Sequence, residues 1–136
     1  MMPTKTFPGR YTSLAGISEF VAQAAQEAGF DSKGIYAVKL AVDEACTNII
    51  EHAYGGEESG KIECSYNIGL DSLTIELRDW GKAFTPEHVP KPNFNVPLEK
   101  LKMGGAGLFF IHKLMDEVRF KFNEKKGNLL VMVKKI

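Results

Sequence analysis

Two pairs of strand-like segments constrain the fold of this chain most strongly, and apolar and polar residues alternate in the first pair. The first pair covers residues 62–68 and 73–77, and the second covers residues 118–123 and 129–134. A period of two places every second side chain on one face of a strand. The connection within each pair is short and polar, so each pair is predicted to form a β-hairpin.

Two helices are predicted before the first hairpin. Apolar residues recur at helical spacing from Ser13 to Ala28, and Gly29 follows where a C-terminal cap belongs. A second helix is predicted from about Lys33 to Ala53, with Asp31 and Ser32 as candidate N-terminal caps.

The rest of the chain completes the predicted topology. Residues 4–11 contain Pro8 and Gly9, which allow at most an interrupted edge strand. Residues 85–103 contain several prolines, and a connection of this length inside a compact domain is typical of a functional lid or a disordered segment. A third helix is predicted from about 106 to 115. This order of elements predicts an α+β fold, in which helices cover one face of the sheet.

The composition is that of one ordinary globular domain. The chain has 136 residues, of which 44% are hydrophobic and 25% are charged. Seventeen basic residues balance seventeen acidic ones, which argues against sequence-independent binding to nucleic acid or to an anionic membrane. The segment from Glu124 to Asn128 is therefore interpreted as a solvated hairpin turn rather than as a basic patch.

The sequence favours a cytoplasmic location. No apolar run approaches the length of a membrane span, and the first residues lack the apolar core of a signal peptide. Cys46 and Cys64 do not have metal-ligand spacing. Both are predicted to be buried thiols in a reducing compartment.

Glu44 and Asn48 lie four residues apart on the second predicted helix. On a helical wheel they fall nearly opposite the apolar stripe, beside Ala37 and Ala41. Two interpretations stay open from the helix alone. The pair could be ordinary exposed residues of an amphipathic helix. Alternatively, the carboxylate could accept a proton from a hydroxyl that attacks a phosphate, and the carboxamide could bind Mg²⁺.

Two further motifs are candidates for nucleotide binding. Gly104, Gly105 and Gly107 directly precede the third helix, where backbone N–H groups can bind an anion. They match neither the Walker pattern nor the dinucleotide fingerprint, and a flexible capping loop is the alternative. Asp79 and Gly81 follow the second strand of the first hairpin. The aspartate can accept a hydrogen bond from an amino group such as that of adenine, or it can simply begin a turn.

Taken together, these motifs resemble the ATP-binding domain of the GHKL superfamily, the Bergerat fold, and most closely its anti-sigma-factor serine/threonine kinases. The matching boxes are residues 44–48 with 52–54, residues 79–84, and residues 104–108 running on to 118. One departure is Ala83, where a proline often precedes the aromatic residue. The resemblance covers nearly the whole chain. It implies a single domain over residues 1–136, a two-layer sandwich with a mixed, mainly antiparallel sheet, and an ATP lid at about 85–103.

The resemblance also implies roles for individual residues. Glu44 would be the general base, and Asn48 would hold the Mg²⁺ that bridges the ATP phosphates. Asp79 would bind the adenine amino group, and Gly81 would shape the base pocket. The remaining implied ATP contacts lie on the lid, the glycine loop and the start of the third helix: Lys100, Lys102, Gly104, Gly105, Gly107 and Leu108.

The implied function is an ATP-dependent serine/threonine kinase that is also an anti-sigma factor. Its phosphoacceptor would be a STAS-domain anti-sigma-factor antagonist, its competing partner a sigma factor, and the protein would form a homodimer. An alternative is a nucleotide-modulated regulator that binds a partner without kinase activity, in which Glu44 would be dispensable. An ATP-driven clamp or histidine kinase of the superfamily would carry further domains, for which 136 residues leave no room.

Overall fold

The computed structural model describes residues 2–57, 59–82, 107–123 and 125–136, and only the backbone of residues 107–110. Its strands are β1 (Thr4–Pro8), β2 (Lys61–Ile68), β3 (Ser72–Asp79), β4 (Glu117–Asn123) and β5 (Gly127–Lys135). Its α-helices are α1 (Leu14–Ala28), α2 (Ser32–Asn48) and α3 (Gly107–Leu114). A 3₁₀ turn at Tyr11–Ser13 precedes α1, and a π-helical turn at Ile49–Ala53 extends α2. The predicted α+β class is confirmed.

The strands form a sheet in the order β1-β2-β3-β5-β4. All pairings between these described strands are antiparallel, whereas the prediction was a mixed, mainly antiparallel sheet. Both predicted hairpins are present, and β1 is the edge strand that the proline and glycine of its segment indicated. In the pairing of β3 with β5, Asp79 lies opposite Asn128. The ends of two strands that are distant in sequence therefore meet at one edge of the sheet.

The core lies between the sheet and the helices. Every second side chain of β3 is buried: Leu73, Ile75, Leu77 and Asp79. The first three belong to the hydrophobic core, together with Leu130 and Met132 of β5 and Ile17 and Val21 of α1. Asp79 thus occupies the next core-facing position of an apolar stripe. A carboxylate there needs polar partners, because burial of an unpaired charge is costly.

The predicted caps at Gly29 and Asp31 are confirmed, whereas the other candidate, Ser32, is the first residue of α2. Gly29 follows α1 with a φ of 101°, in the left-handed region that glycine adopts without strain. The Oδ1 atom of Asp31 accepts a hydrogen bond of 2.8 Å from the backbone N of Gly34 and caps α2. Within the described parts of the chain, no helix is long and apolar enough to cross a membrane.

The buried surface of α2 is wider than the helical wheel predicted. Ala41, predicted to lie beside Glu44 on the face away from the core, is fully buried, as is Val42. The reason is tertiary, because α2 packs against both α1 and α3 and so has apolar neighbours on two sides.

Candidate nucleotide-binding site

Asp79 is held at the edge of the sheet by two hydrogen bonds to the same carboxylate oxygen. Its Oδ1 accepts from the backbone N of Gly81 over 2.9 Å and from Nδ2 of Asn128 over 2.8 Å. Burial raises the pKa of Asp79, and these two hydrogen bonds oppose that rise. Among the described residues no donor reaches Oδ2. The second oxygen therefore remains an acceptor of fixed direction.

Asn128 connects the turn after β3 to the last strand. Besides its bond to Asp79, its Nδ2 lies 3.2 Å from the carbonyl oxygens of both Gly81 and Lys82. The prediction that this residue belongs to a solvated hairpin turn was wrong, since Asn128 is only 9% exposed. The apolar run at 129–133 does not show which side chains of β5 face the core, so the local pattern alone could not predict this burial.

Gly81 is required by a close approach between two backbones. The backbone N of Lys82 donates to the carbonyl oxygen of Ala53 over 2.7 Å. A Cβ atom on Gly81 would overlap that carbonyl group and would lie 2.9 Å from the Cβ of Ala53. The glycine thus lets the end of the second helix touch the turn after β3. Its predicted role in admitting a base stays a prediction.

The end of α2 departs from the predicted α-helix. Residues Ile49–Ala53 form a π-helical turn, and the backbone N of Tyr54 donates to the carbonyl oxygen of Ile49 over 3.0 Å. Such turns occur mostly as single insertions in α-helices, frequently at functional sites. Here the turn ends with the Ala53 carbonyl directed at Lys82. It therefore joins the helix that carries Glu44 and Asn48 to the loop that follows Asp79.

Glu44 and Asn48 are half-buried on α2 rather than exposed. The Oε2 atom of Glu44 is buried and has no hydrogen-bond partner among the described residues. Burial raises the pKa of Glu44, and the negative charges of Asp43 and Glu51 raise it further. A buried, unpartnered carboxylate oxygen costs stability. Such a cost is typical of a group that is kept for binding or catalysis. It favours the interpretation of Glu44 as a proton acceptor and Asn48 as a Mg²⁺ ligand over that of two ordinary exposed residues.

The structure places the other predicted site residues only in part. The predicted lid at 85–103 lies outside the described residues, as do Lys100, Lys102, Gly104 and Gly105. Gly107 and Leu108 form the start of α3, which packs against α2. The predicted phosphate-binding end of α3 therefore belongs to the same helical layer as Glu44 and Asn48.

Comparison with known families assigns the class of protein that this fold and site define. Residues 7–134 match the family described as the histidine kinase-like ATPase domain. The fold is similar to that of the RsbU and RsbW domains of Rv1364c from Mycobacterium tuberculosis. That alignment has a TM-score of 0.65 at 16% identity and covers 97% of this chain and 32% of the other. The catalytic domain of the histidine kinase ThkA aligns with a TM-score of 0.56 at 14% identity, over 98% of this chain and 97% of the other. At such identities the structural likeness shows the fold alone.

Closer relatives narrow the class further. The chain is 37% identical over 130 residues to the serine-protein kinase RsbW of Listeria innocua, covering 93% of this chain and 80% of that protein. It is 39% identical over 116 residues to the serine-protein kinase RsbW of Oceanobacillus iheyensis, covering 82% and 72%. The chain therefore belongs to the serine-protein kinase RsbW family within the histidine kinase-like ATPases. The resemblance seen in the sequence is confirmed.

Proposed function

We propose that this chain phosphorylates a serine or threonine of a STAS-domain anti-sigma-factor antagonist and sequesters a sigma factor. In this proposal residues 1–136 act as one ATP-binding domain, with a lid at about 85–103, and two copies form a homodimer. We place the protein in the cytoplasm, without direct contact to nucleic acid or membrane. In support of a reducing compartment, Cys46 and Cys64 are both free and buried.

The residues at the edge of the sheet fit the base of ATP. Adenine presents an amino group, which requires an acceptor, and Asp79 offers Oδ2 while Asn128 and Gly81 hold Oδ1. The two hydrogen bonds fix the carboxylate before any ligand arrives. Less conformational freedom is then lost on binding, which favours affinity.

The residues Glu44 and Asn48 of α2 fit the phosphate groups of ATP. Bound MgATP supplies the phosphoryl group, and Mg²⁺ neutralises charge on the phosphates. Asn48 would hold the ion through its carboxamide oxygen, a hard and neutral ligand that suits Mg²⁺. Glu44, one turn earlier, would accept the proton of the substrate hydroxyl. Its raised pKa brings the carboxylate closer to the working pH, at which a general base is most effective.

The observation that carries this proposal is the buried Oε2 of Glu44, which has no partner within the described residues. A purely structural glutamate on this helix would be expected to find a hydrogen bond or to point into water. In a member of a kinase family, a half-buried carboxylate without a partner is a ready proton acceptor. In a regulator that binds a partner without transferring phosphate, the same atom would have no substrate proton to accept.

Transfer of labelled phosphate from ATP to a STAS-domain antagonist tests the proposal. The wild type is compared with Glu44→Gln, which keeps the shape of the side chain and removes its basicity, and with Glu27→Gln, an exposed glutamate on α1. Loss of a general base is expected to slow transfer by about 10²- to 10⁴-fold. Glu27→Gln is expected to behave like the wild type.

The same three proteins distinguish the kinase from the alternative regulator. If Glu44→Gln transfers phosphate at the wild-type rate, Glu44 is not the base. If the wild type binds a sigma factor under nucleotide control but transfers no phosphate to any antagonist, the partner-binding regulator becomes the better account.

A further inference from the structure

The phenol of Tyr54 bridges two strands beside the candidate base pocket. Tyr54 directly follows the π-helical turn at the end of α2. Its Oη donates a hydrogen bond of 2.6 Å to the carbonyl oxygen of Lys61 at the start of β2. The same Oη accepts a bond of 2.9 Å from the backbone N of Trp80, the residue after β3. One hydroxyl thus joins the end of a helix to two strands.

Packing fixes the ring that carries this hydroxyl. A Cβ atom on Gly60 would overlap the ring of Tyr54 and would lie 2.8 Å from Oη, so only glycine leaves room for the ring there. A Cβ on Gly9 would lie 3.5 Å from the Cδ2 atom of the ring. The two glycines are themselves joined by a hydrogen bond of 2.8 Å between Gly9 N and Gly60 O. The hydroxyl therefore has a defined position that does not depend on a ligand.

The peptide that donates to Tyr54 is the one that joins Asp79 to Trp80. Its carbonyl, that of Asp79, is approached so closely by Gly127 that a Cβ there would overlap it. The Trp80 side chain is 41% exposed, and its Cδ1 atom lies beside Gly127, 3.0 Å from where a Cβ on that residue would be. Its described ring contact is with Nζ of Lys61, 5.0 Å from the ring centroid. Among the described residues, the Tyr54 hydroxyl is the hydrogen-bond acceptor for the N–H of this peptide.

The protonation state of Tyr54 suits both of its hydrogen bonds. Burial raises the pKa of the phenol, the hydrogen bond from the Trp80 backbone opposes that rise, and the negative charge of Asp79 adds to it. The hydroxyl therefore keeps the proton that it donates to Lys61. As a neutral group it can accept from Trp80 and donate to Lys61 at the same time.

We propose that Tyr54 is a positioning residue for base recognition. Its hydroxyl sets the Asp79–Trp80 peptide, and through that peptide it sets the direction in which the Asp79 carboxylate meets the 6-amino group of a purine nucleotide. The inference rests on the proposed function, in which Asp79 is the acceptor for adenine. In this inference Tyr54 acts on base recognition without touching the base. It also connects the end of α2, which carries Asn48, to the base pocket.

Tyr54→Phe tests the inference, because it removes the hydroxyl and keeps the ring over Gly60. The matched control is Tyr36→Phe, at a tyrosine of α2 that is 65% exposed. Calorimetry measures the Kd of each protein for ATP and for purine riboside triphosphate, which lacks the 6-amino group. The ratio of the two constants reports the bond to Asp79 specifically, and urea unfolding reports stability separately.

In the wild type the missing amino group is expected to weaken binding by about 10- to 100-fold, the usual range for a hydrogen bond to a charged acceptor. Tyr54→Phe is expected to reduce that ratio at least about threefold, because a misdirected carboxylate distinguishes the two ligands less well. Tyr36→Phe is expected to keep the wild-type ratio.

The other possible results separate a failure of the inference about Tyr54 from a failure of the proposed function. If Tyr54→Phe lowers stability or weakens both ligands equally and keeps the wild-type ratio, Tyr54 is structural and the inference fails while the proposed function stands. If the wild type binds both ligands equally well, Asp79 does not accept a hydrogen bond from the amino group, and the inference about Tyr54 fails as well. A wild type that binds neither ligand overturns the proposed function as well.

Discussion

Asn128 lies directly opposite Asp79 across the β3–β5 pairing, and its Nδ2 donates to Oδ1 of that aspartate over 2.8 Å. The two residues are 49 positions apart in the chain. Their contact converts a carboxylate at the end of an apolar stripe into an acceptor of fixed orientation. The base half of the candidate site therefore depends on the pairing of two distant strands.

Asn128→Ala is expected to weaken both the fold and ATP binding. The change leaves Asp79 with one of its two hydrogen bonds and deprives the Gly81 and Lys82 carbonyls of a shared donor. Loss of such buried bonds costs about 1 to 3 kcal/mol of unfolding free energy. Urea unfolding and ATP titration measure the two effects, with Asn67→Ala as the control at an exposed strand position. An Asn128→Ala protein with wild-type ATP affinity would contradict the role given to this contact.

Gly81→Ala is expected to separate the turn after β3 from the end of α2. The added Cβ overlaps the Ala53 carbonyl, so the hydrogen bond from Lys82 N to that carbonyl cannot persist in its present geometry. The expected loss of unfolding free energy is about 1 to 3 kcal/mol, the usual cost of overpacking.

Gly69→Ala is the matched control for this change. A Cβ on Gly69 would lie 3.4 Å from the nearest atom, the carbonyl oxygen of Ser72, which is close to ordinary contact. Its effect on stability is expected to stay within about 0.5 kcal/mol. Equal effects of the two substitutions would show that the approach of Ala53 to Gly81 is not tight.

Glu44→Gln is expected to stabilise the protein at neutral pH while it slows phosphate transfer. Burial, Asp43 and Glu51 raise the pKa of Glu44 above its ordinary value of 4.5. The folded protein therefore binds this proton more tightly than the unfolded chain does, and ionised Glu44 lowers stability. That cost disappears as the pH falls through the raised pKa toward 4.5.

Thermal unfolding between pH 4 and pH 8 measures this effect as the difference in Tm between Glu44→Gln and the wild type. The gain in Tm is expected to be larger near pH 7 than near pH 4. Glu27→Gln serves again as the exposed control. A gain that is larger in acid than at neutral pH would mean that the charge of Glu44 stabilises the fold.

Asn48→Ala is expected to remove the part of ATP affinity that depends on Mg²⁺. The carboxamide oxygen is the proposed ligand of the ion, and alanine offers none. Asn48 is only half-buried, so the fold is expected to persist, which circular dichroism can check. Titrations with ATP in Mg²⁺ and in EDTA are expected to give similar affinities for this variant. If Mg²⁺ still strengthens ATP binding as it does in the wild type, another residue holds the ion.

Much of the fold could be predicted from local patterns. The strands of the first hairpin follow from alternation, and the caps at Gly29 and Asp31 follow from the backbone freedom and hydrogen-bonding capacity of those residues. The positions of Asp79 and Gly81 at a strand end could also be predicted from the sequence, because the alternating run of β3 stops there.

The features that could not be predicted from the sequence depend on tertiary contacts. The burial of Asn128 needs the register of β3 against β5, which no local pattern contains. The π-helical turn at Ile49–Ala53 is indistinguishable from an α-helix by residue type. The burial of Ala41 likewise depends on tertiary packing, because α2 lies against both α1 and α3.

The most direct test of the central claim is calorimetric titration of the wild type and Asp79→Asn with ATP, with and without Mg²⁺. Asparagine can still accept the bonds from Gly81 N and Asn128 Nδ2, but it presents an NH₂ group where the carboxylate offered Oδ2. The fold should therefore persist. The asparagine NH₂ and the adenine amino group are both donors, so they cannot form a hydrogen bond with each other. We predict Mg²⁺-dependent binding to the wild type and at least about tenfold weaker binding to Asp79→Asn. Equal affinity in the two proteins, or no binding to the wild type at millimolar ATP, would contradict the account.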